Sequence, residues 1–147
     1  MKTVVITGSA RGFGLCQAKK FKESGFNVVI SDINENNLQS ALEALQAIRP
    51  QDTKALSVVC DVTNPQDLQG LWDSAAAAFG TVDIWINNAG VNSPDKPVCE
   101  LTGKEIAFIL DVDLKGTVYG SRVAFAGMRA QGHGRSTTWR ATAPTTP

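Results

Sequence analysis

The sequence predicts an α/β fold, in which helices cover both faces of a parallel sheet. Four short runs rich in valine and isoleucine alternate with longer amphipathic segments. Apolar runs of this length are typical of strands buried on both faces of a parallel sheet, and their alternation with helices produces α/β architectures. Because crossovers between parallel strands are right-handed, we expect a doubly wound sheet, truncated after about four strands, in the order 3-2-1-4.

The four apolar runs are the predicted strands, at residues 3–6, 27–31, 55–60 and 82–86. In the expected order the fourth run becomes an edge of the sheet. It contains Trp85 between two isoleucines, and an unpaired apolar edge promotes aggregation. The isolated chain is therefore predicted to be poorly soluble.

Helices are predicted between the strands and after the last of them. Apolar residues recur at helical spacing in residues 12–24, 35–48, 65–79 and about 102–131. The third helix has a strong start signal, because Asn64 is a good N-cap and a proline occupies the first helical position.

The long C-terminal helix begins with a capping-box pattern formed by Thr102 and Glu105. It also contains Gly116, Gly120 and Gly127. Each glycine is expected to weaken the helix by about 1 kcal/mol.

The last thirteen residues differ in kind from the rest of the chain. Residues 135–147 contain five threonines and two prolines, and no valine, isoleucine or leucine. A fifth buried strand would need apolar residues here, so we expect one domain over residues 1–134 and a disordered or non-native tail over 135–147. The abrupt change in composition suggests a truncated or frame-shifted gene end.

Composition excludes several classes of function. The 147 residues carry 14 Lys+Arg and 14 Asp+Glu, a net charge of +0, and a chain without a basic cluster is not expected to bind nucleic acid. The apolar runs are too short to span a membrane. One histidine and three cysteines without C-x-x-C spacing make a metal site unexpected, and unpaired cysteines favour a cytoplasmic location.

The most informative motif is the glycine-rich turn that joins the first strand to the first helix. In residues 7–14, Gly8 permits a tight turn, Gly12 lets the backbone approach a pyrophosphate, and Gly14 lets the helix pack against the strand. The N–H groups at the helix N-terminus attract phosphates. The strand–turn–helix context favours a dinucleotide site; a glycine-rich turn without a ligand is the alternative.

Polar or small residues follow the other three strands as well. Asp32 is placed to accept hydrogen bonds from an adenosine ribose, with a solvated turn or a helix N-cap as the alternative. Asp61 is placed to contact an adenine amino group or, alternatively, to cap the following helix. Residues 87–90 are small enough to lie beside a cofactor, and their two asparagines can tie strand ends together; by themselves they are also an ordinary turn.

In this order and spacing, these motifs resemble the short-chain dehydrogenase/reductase family over residues 1 to about 134. The resemblance implies a Rossmann-type fold, NAD(H) or NADP(H), and hydride transfer between a carbinol and a carbonyl. It also implies that full-length relatives are homo-oligomers. The residues that it places at the cofactor are Gly8, Arg11, Gly12, Phe13 and Gly14 at the pyrophosphate, Asp32 at the adenosine ribose, Asp61 and Val62 at the adenine, and Asn88, Ala89 and Gly90 on the nicotinamide side.

The sequence departs from the family where the chemistry is expected. The family's catalytic Tyr-x-x-x-Lys pair is missing, because the single tyrosine, Tyr119, is followed four residues later by Val123 and is interpreted as a packing residue. Ser136 lies at roughly the distance of the family's catalytic serine but without an apolar strand before it. Asp113 occupies a position where the family has asparagine, which removes an amide donor and adds a charge.

Two hypotheses about the function remain. The chain is either the cofactor-binding half of an NAD(P)-dependent oxidoreductase or a catalytically inactive nucleotide-binding fragment, and the substrate is not specified by either. NAD(H) is expected to bind more tightly than NADP(H), because the negatively charged Asp32 would lie where the 2′-phosphate of NADP(H) would bind. The short Gly-His-Gly sequence at residues 132–134 resembles the branch that contains chlorophyll b reductases, but it is too short to fix a substrate.

Overall fold

A computed structural model describes residues 1–50 and 52–138 of the chain. Within them, a single sheet contains five parallel strands in the order β3-β2-β1-β4-β5. The strands are β1 Thr3–Ile6, β2 Asn27–Asp32, β3 Ala55–Val59, β4 Ile84–Asn87 and β5 Arg135–Thr138. The predicted α/β class and the order 3-2-1-4 are confirmed, and β5 extends that order by one strand.

Strand β5 corrects the expectation that no fifth strand forms. It pairs with β4 from Ile84↔Arg135 to Asn87↔Thr138, so β4 is an inner strand and the aggregation argument from a β4 edge is wrong. A strand pairs through its backbone, and at the sheet edge three of the four β5 side chains are exposed, so apolar side chains are not needed. Residues 139–147 of the predicted tail lie outside the described residues.

The helices agree closely with the sequence pattern. They are α1 Gly12–Glu23, α2 Glu35–Gln46, α3 Pro65–Phe79, α4 Gly103–Ile109 and α5 Thr117–Gln131. The Asn64 cap and the Thr102–Glu105 capping box are both present. The predicted single C-terminal helix is interrupted by a π-helical segment, Leu110–Gly116, between α4 and α5. Among the described residues, no helix combines the length and apolarity that crossing a membrane requires.

The sheet is buried on both faces, which explains why its central strands are continuously apolar. In β1, Val4 and Ile6 pack towards α1 and α2, whereas Val5 packs on the opposite face beneath α3 and α5. All three side chains are fully buried, and consecutive side chains of a strand point to opposite faces. The two helical layers therefore hold the carboxyl ends of the strands in fixed positions.

Close contact between α3 and α5 explains a glycine that the sequence pattern treats as a weakness. Trp72 of α3 is 8% exposed, and its ring centre lies 6.1 Å from that of Trp85 in β4. A Cβ atom at Gly127 would overlap the Trp72 ring. Gly127 is therefore required by packing, and this contact offsets its low helix propensity.

Replacing Gly127 with alanine is expected to destabilise the protein by about 1–3 kcal/mol, because overpacking a core forces side chains or backbone to move. Gly70→Ala in α3 is the matched control, since a Cβ atom there meets nothing within 4 Å; alanine should stabilise that helix by about 0.5–1 kcal/mol. Urea unfolding measures both changes. A Gly127→Ala variant as stable as the unmutated chain would contradict the packing argument.

Candidate nucleotide-binding site

The carboxyl ends of the parallel strands form one edge of the sheet, and the predicted site residues follow four of these ends. Residues 7–14 follow β1, residue 32 ends β2, residues 61–62 follow β3, and residues 88–90 follow β4. In open α/β sheets, ligands bind at this edge where the strand order reverses. Here the reversal lies between β1 and β4.

The turns after β1 and β4 are joined by hydrogen bonds centred on Thr7. The Thr7 Oγ1 atom accepts from the backbone N–H groups of Asn88 (3.0 Å) and Ala89 (3.1 Å). The Asn88 side-chain amide donates to the carbonyl oxygens of Thr7 and Gly8, both at 2.9 Å. The expectation that the two asparagines tie neighbouring strand ends together is thus confirmed for Asn88 but not for Asn87, whose side chain accepts from the Trp85 Nε1–H within β4 and donates to the Ser121 hydroxyl of α5. The part played by the Thr7 hydroxyl was not predicted.

Gly8 and Gly14 lie where the two turns approach most closely. Gly8 has a φ of 60°, and a Cβ atom there would lie 2.6 Å from the Ala89 Cα atom. A Cβ atom at Gly14 would lie 2.7 Å from the Gly8 carbonyl oxygen and 2.5 Å from the Asn88 amide nitrogen. Both positions therefore require glycine, and the first turn of α1 packs directly against the strand-end network.

Gly12 differs from its neighbours because no described residue packs against it. Its φ is 57°, and a Cβ atom there would meet no described residue within 4 Å. The preceding residue, Arg11, is the N-cap of α1; its side chain makes no capping hydrogen bond within the described part of the chain, and the first turn holds no acidic residue. The partial positive charge of the α1 N-terminus therefore lies beside Gly12, where it would attract an anion such as a pyrophosphate. The side chains of Arg11 and Phe13 are exposed beside this turn.

Ser9 fixes the other side of the turn, towards β2. Its backbone N–H donates to the Ser31 carbonyl oxygen at 2.9 Å, and its hydroxyl donates to the Ile6 carbonyl oxygen at 2.6 Å while accepting from the Ser31 N–H at 3.1 Å. Sequence reasoning missed this residue. The only signal for it in the sequence is that a small side chain with a hydroxyl group lies two residues after Thr7.

Asp32 does not cap the helix that follows it. Asn34 is the N-cap of α2 and accepts a hydrogen bond from the Asn37 N–H, while the Asp32 carboxylate accepts only from the Asn34 N–H, at 3.2 Å, among the described residues. The Asp32 side chain is half-buried at the end of β2. Of the two alternatives to a ribose contact, the helix cap is therefore wrong.

Asp61 and Val62 have local roles in the turn after β3. The Asp61 carboxylate accepts from the N–H and the hydroxyl of Thr63, at 2.9 and 2.7 Å, whereas Asn64 caps α3. Val62 is 8% exposed and packs against Gly116 of the π-helical segment. Neither of these contacts tests the predicted position of an adenine.

Three nearby residues have side chains of types that take part in catalysis, namely Cys60, Tyr119 and Ser136. Burial, with smaller contributions from Asp67 and Asp61, raises the pKa of the Cys60 thiol to about 12, so this thiol is protonated and unreactive near neutral pH. Tyr119 packs against the core, as its position in the helix predicts. Ser136 lies in β5, paired with Trp85, so the strand that the sequence appeared to lack is present.

The segment between β4 and α4 is fixed at both ends. At one end, the Val91 N–H donates to the Asp113 carboxylate at 2.9 Å. At the other, Glu105 accepts from Lys96 at 2.8 Å and from the N–H and hydroxyl of Thr102. The Lys96 contact, followed by those of Thr102, lowers the Glu105 pKa to about 2.

Known proteins that are similar to this chain in sequence or in structure include dehydrogenases and reductases. The chain is 33% identical to glucose 1-dehydrogenase 2 of Bacillus subtilis over 86% of this chain and 48% of that protein. It is also 33% identical to a probable chloroplastic chlorophyll(ide) b reductase of Arabidopsis thaliana, over 90% of this chain and 30% of that protein. A short-chain dehydrogenase/reductase from Burkholderia phymatum, solved in complex with NAD, superimposes with a TM-score of 0.86 and 31% identity, covering 93% of this chain and 48% of that one.

The chain thus spans about half or less of the length of these relatives. The family model described as short chain dehydrogenase matches residues 2–137, which is nearly all of the part that the structure describes. Together with the five-stranded parallel sheet and the Thr7–Asn88 network at its carboxyl edge, this match shows that the chain belongs to the short-chain dehydrogenase family.

Proposed function

We propose that this chain binds NAD(H) at the carboxyl edge of the sheet and is the cofactor-binding half of an oxidoreductase that transfers hydride between a carbinol and a carbonyl. The observation that carries the proposal is the turn of residues 7–14. Among the described residues, none fills the space beside Gly12 and no side chain caps the N-terminus of α1. Thr7, Gly8 and Asn88 hold that turn against β4.

The order of the strands sets the direction in which a dinucleotide would lie. A pyrophosphate at the α1 N-terminus is centred on β1, and a ribose at Asp32 lies towards β2. The other nucleoside then extends towards β4, which is the neighbour of β1 on the opposite side. The residues proposed to hold the cofactor are Gly8, Arg11, Gly12, Phe13, Gly14, Asp32, Asp61, Val62, Asn88, Ala89 and Gly90.

The chain's own residues would bind and orient the cofactor, whose nicotinamide ring supplies or accepts the hydride when it is bound. The α1 N–H groups would neutralise the pyrophosphate, and the Asp32 carboxylate would accept hydrogen bonds from the ribose hydroxyls. The network of Thr7 and Asn88 would keep the β4 side in register with the turn after β1. The unknown small-molecule substrate is not specified by any of these contacts.

The second candidate function is a nucleotide-binding fragment without catalytic activity. The observation that favours it is the absence of a Tyr-x-x-x-Lys pair from this sequence, in which Lys115 is the last lysine. Tyr119 packs in the core and lies on α5, before rather than after β5. Both candidates share the same nucleotide site and differ only in whether this chain catalyses a reaction.

A further part of the proposal is that the full-length protein forms homo-oligomers. The last helical region exposes large apolar side chains that a partner subunit would cover. Six of them are between 42% and 60% exposed, namely Ile106, Phe108, Leu110, Leu114, Val118 and Phe125. A cytoplasmic location also stays a prediction, and one relative is chloroplastic.

Replacing Gly12 with alanine is expected to weaken NADH binding at least tenfold, because the new methyl group enters the space proposed for the pyrophosphate. Gly25→Ala is the matched control, because Gly25 also has a positive φ, 83°, and no described residue lies within 4 Å of a Cβ atom there. Both variants should lose similar stability, about 1–2 kcal/mol, from the left-handed backbone. NADH fluorescence titration and thermal unfolding measure the two effects. Unchanged NADH affinity in Gly12→Ala would contradict the proposed site.

The unmutated chain is expected to prefer NAD(H) to NADP(H) by about ten- to thirtyfold in affinity. Like charges about 4 Å apart at an effective dielectric constant near 20 repel by ~4 kcal/mol, whereas a charged hydrogen bond from Arg11 to a 2′-phosphate returns ~1.5–3 kcal/mol. The remainder, ~1–2.5 kcal/mol, corresponds to a ratio of about five- to seventyfold, which brackets the expected one.

Titration with both nucleotides at one fixed salt concentration measures this preference. Asp32→Ser should shift it towards NADP(H), whereas Glu35→Gln, which removes a nearby charge at the start of α2, should change it little. Equal or tighter binding of NADP(H) by the unmutated chain would show that Arg11 outweighs Asp32.

The 147-residue chain is expected to bind nucleotide without turning over carbonyl substrates. A positioned general acid contributes about 10²–10⁴ in rate, and the family's tyrosine–lysine pair, which provides it, is missing here. The assay follows NADH and NADPH oxidation with a panel of ketones and aldehydes. Turnover that depends on the protein and disappears in Gly12→Ala would refute this expectation.

A further inference from the structure

The charged side chain of Asp113 contacts the turn after β4 directly. It lies in the π-helical segment, and its Oδ1 atom accepts from the Val91 N–H at 2.9 Å. The same oxygen is 3.4 Å from the position of a Cβ atom at Gly90. A carboxylate is therefore fixed beside the turn after β4. Since β4 and β2 flank β1 on opposite sides, Asp113 and Asp32 lie on opposite sides of β1.

No cation neutralises this carboxylate within the described part of the chain. The lysine closest to it in sequence, Lys115, pairs with Asp111 at 2.6 Å. None of the four ion pairs found among residues 1–50 and 52–138 includes Asp113. Its side chain is exposed and lies beside Gly90 and Val91 of the β4 turn.

We propose that Asp113 makes this site bind the oxidised dinucleotide in preference to the reduced one. This inference rests on the proposed function, in which the second nucleoside extends over β4. An oxidised nicotinamide ring carries a positive charge, and the reduced ring carries none. A fixed carboxylate on the β4 side would attract the positively charged ring by its charge and would not attract the uncharged ring in this way.

The hydrogen bond to Val91 and the charge of Asp113 can be separated experimentally. In Asp113→Asn the side-chain oxygen still accepts from the Val91 N–H, but the charge is gone. If Asp113 only positions the turn, this variant leaves both affinities unchanged, and Asp113→Ala, which loses the hydrogen bond, lowers both equally. If the charge discriminates, Asp113→Asn alone changes the ratio of the two affinities.

The experiment titrates the 147-residue chain separately with NAD⁺ and NADH at ~20 mM salt and compares the two dissociation constants. Asp113→Asn is expected to weaken NAD⁺ binding relative to NADH on the order of tenfold, since unit charges within about 10 Å at an effective dielectric constant near 20 interact by at least that much. Asp111→Asn is the control, because it removes an equal charge two residues away.

A second measurement needs no variant. Raising the salt to about 500 mM shortens the screening length to a few ångströms, so the NAD⁺ preference of the unmutated chain should fall. An unchanged ratio in Asp113→Asn, an equal change in Asp111→Asn, or a preference insensitive to salt would each overturn the inference while leaving the proposed function intact. Failure of the unmutated chain to bind either nucleotide would overturn both.

Discussion

The hydroxyl group of Thr7 makes the contacts on which the geometry of the candidate nucleotide-binding edge depends. It accepts two backbone N–H groups from the β4 turn and itself lies 3.4 Å from the Ile86 carbonyl oxygen. These partners are about eighty residues away in sequence, yet they lie at the point where the strand order reverses. The β1–β4 ladder ends at the pair Ile6↔Ile86 and is followed by one backbone hydrogen bond, from the Thr7 N–H to the Ile86 carbonyl oxygen at 3.0 Å. Beyond that bond, the side chains of Thr7 and Asn88 join the two turns.

Most of the fold could be predicted because its local signals agree with its packing. Continuous valine and isoleucine runs indicated strands covered on both faces, and Val4 and Val5 are indeed buried on opposite faces of the sheet. The Asn64 cap and the Thr102–Glu105 box are local hydrogen bonds, so a short sequence window contains all of the information. Strand β5 could not be found this way, because an edge strand depends on the backbone of β4 rather than on its own apolar residues.

The candidate site was predictable as a set of positions but not as a set of contacts. The glycine spacing located the turn, and Gly8 and Gly14 are where a side chain would collide with the backbone. Thr7, Ser9 and Asp113 were not assigned contacts, because each binds a residue on another strand or helix. Asp32 and Asp61 show the same limit, since sequence alone could not decide between a helix cap and a ligand contact; in both turns a neighbouring asparagine caps the helix.

The charges along this edge form a pattern that no single motif contains. The uncapped α1 N-terminus provides partial positive charge at the centre, beside β1. Asp32 on the β2 side and Asp113 on the β4 side provide negative charge at the two flanks. An anion at the centre is attracted by the helix, and the same carboxylates would repel additional negative charge at either end. The proposed preference for oxidised NAD over a nucleotide with a phosphate on its adenosine ribose rests on this pattern, because oxidised NAD has an anionic middle, hydrogen-bond donors at one end and positive charge at the other.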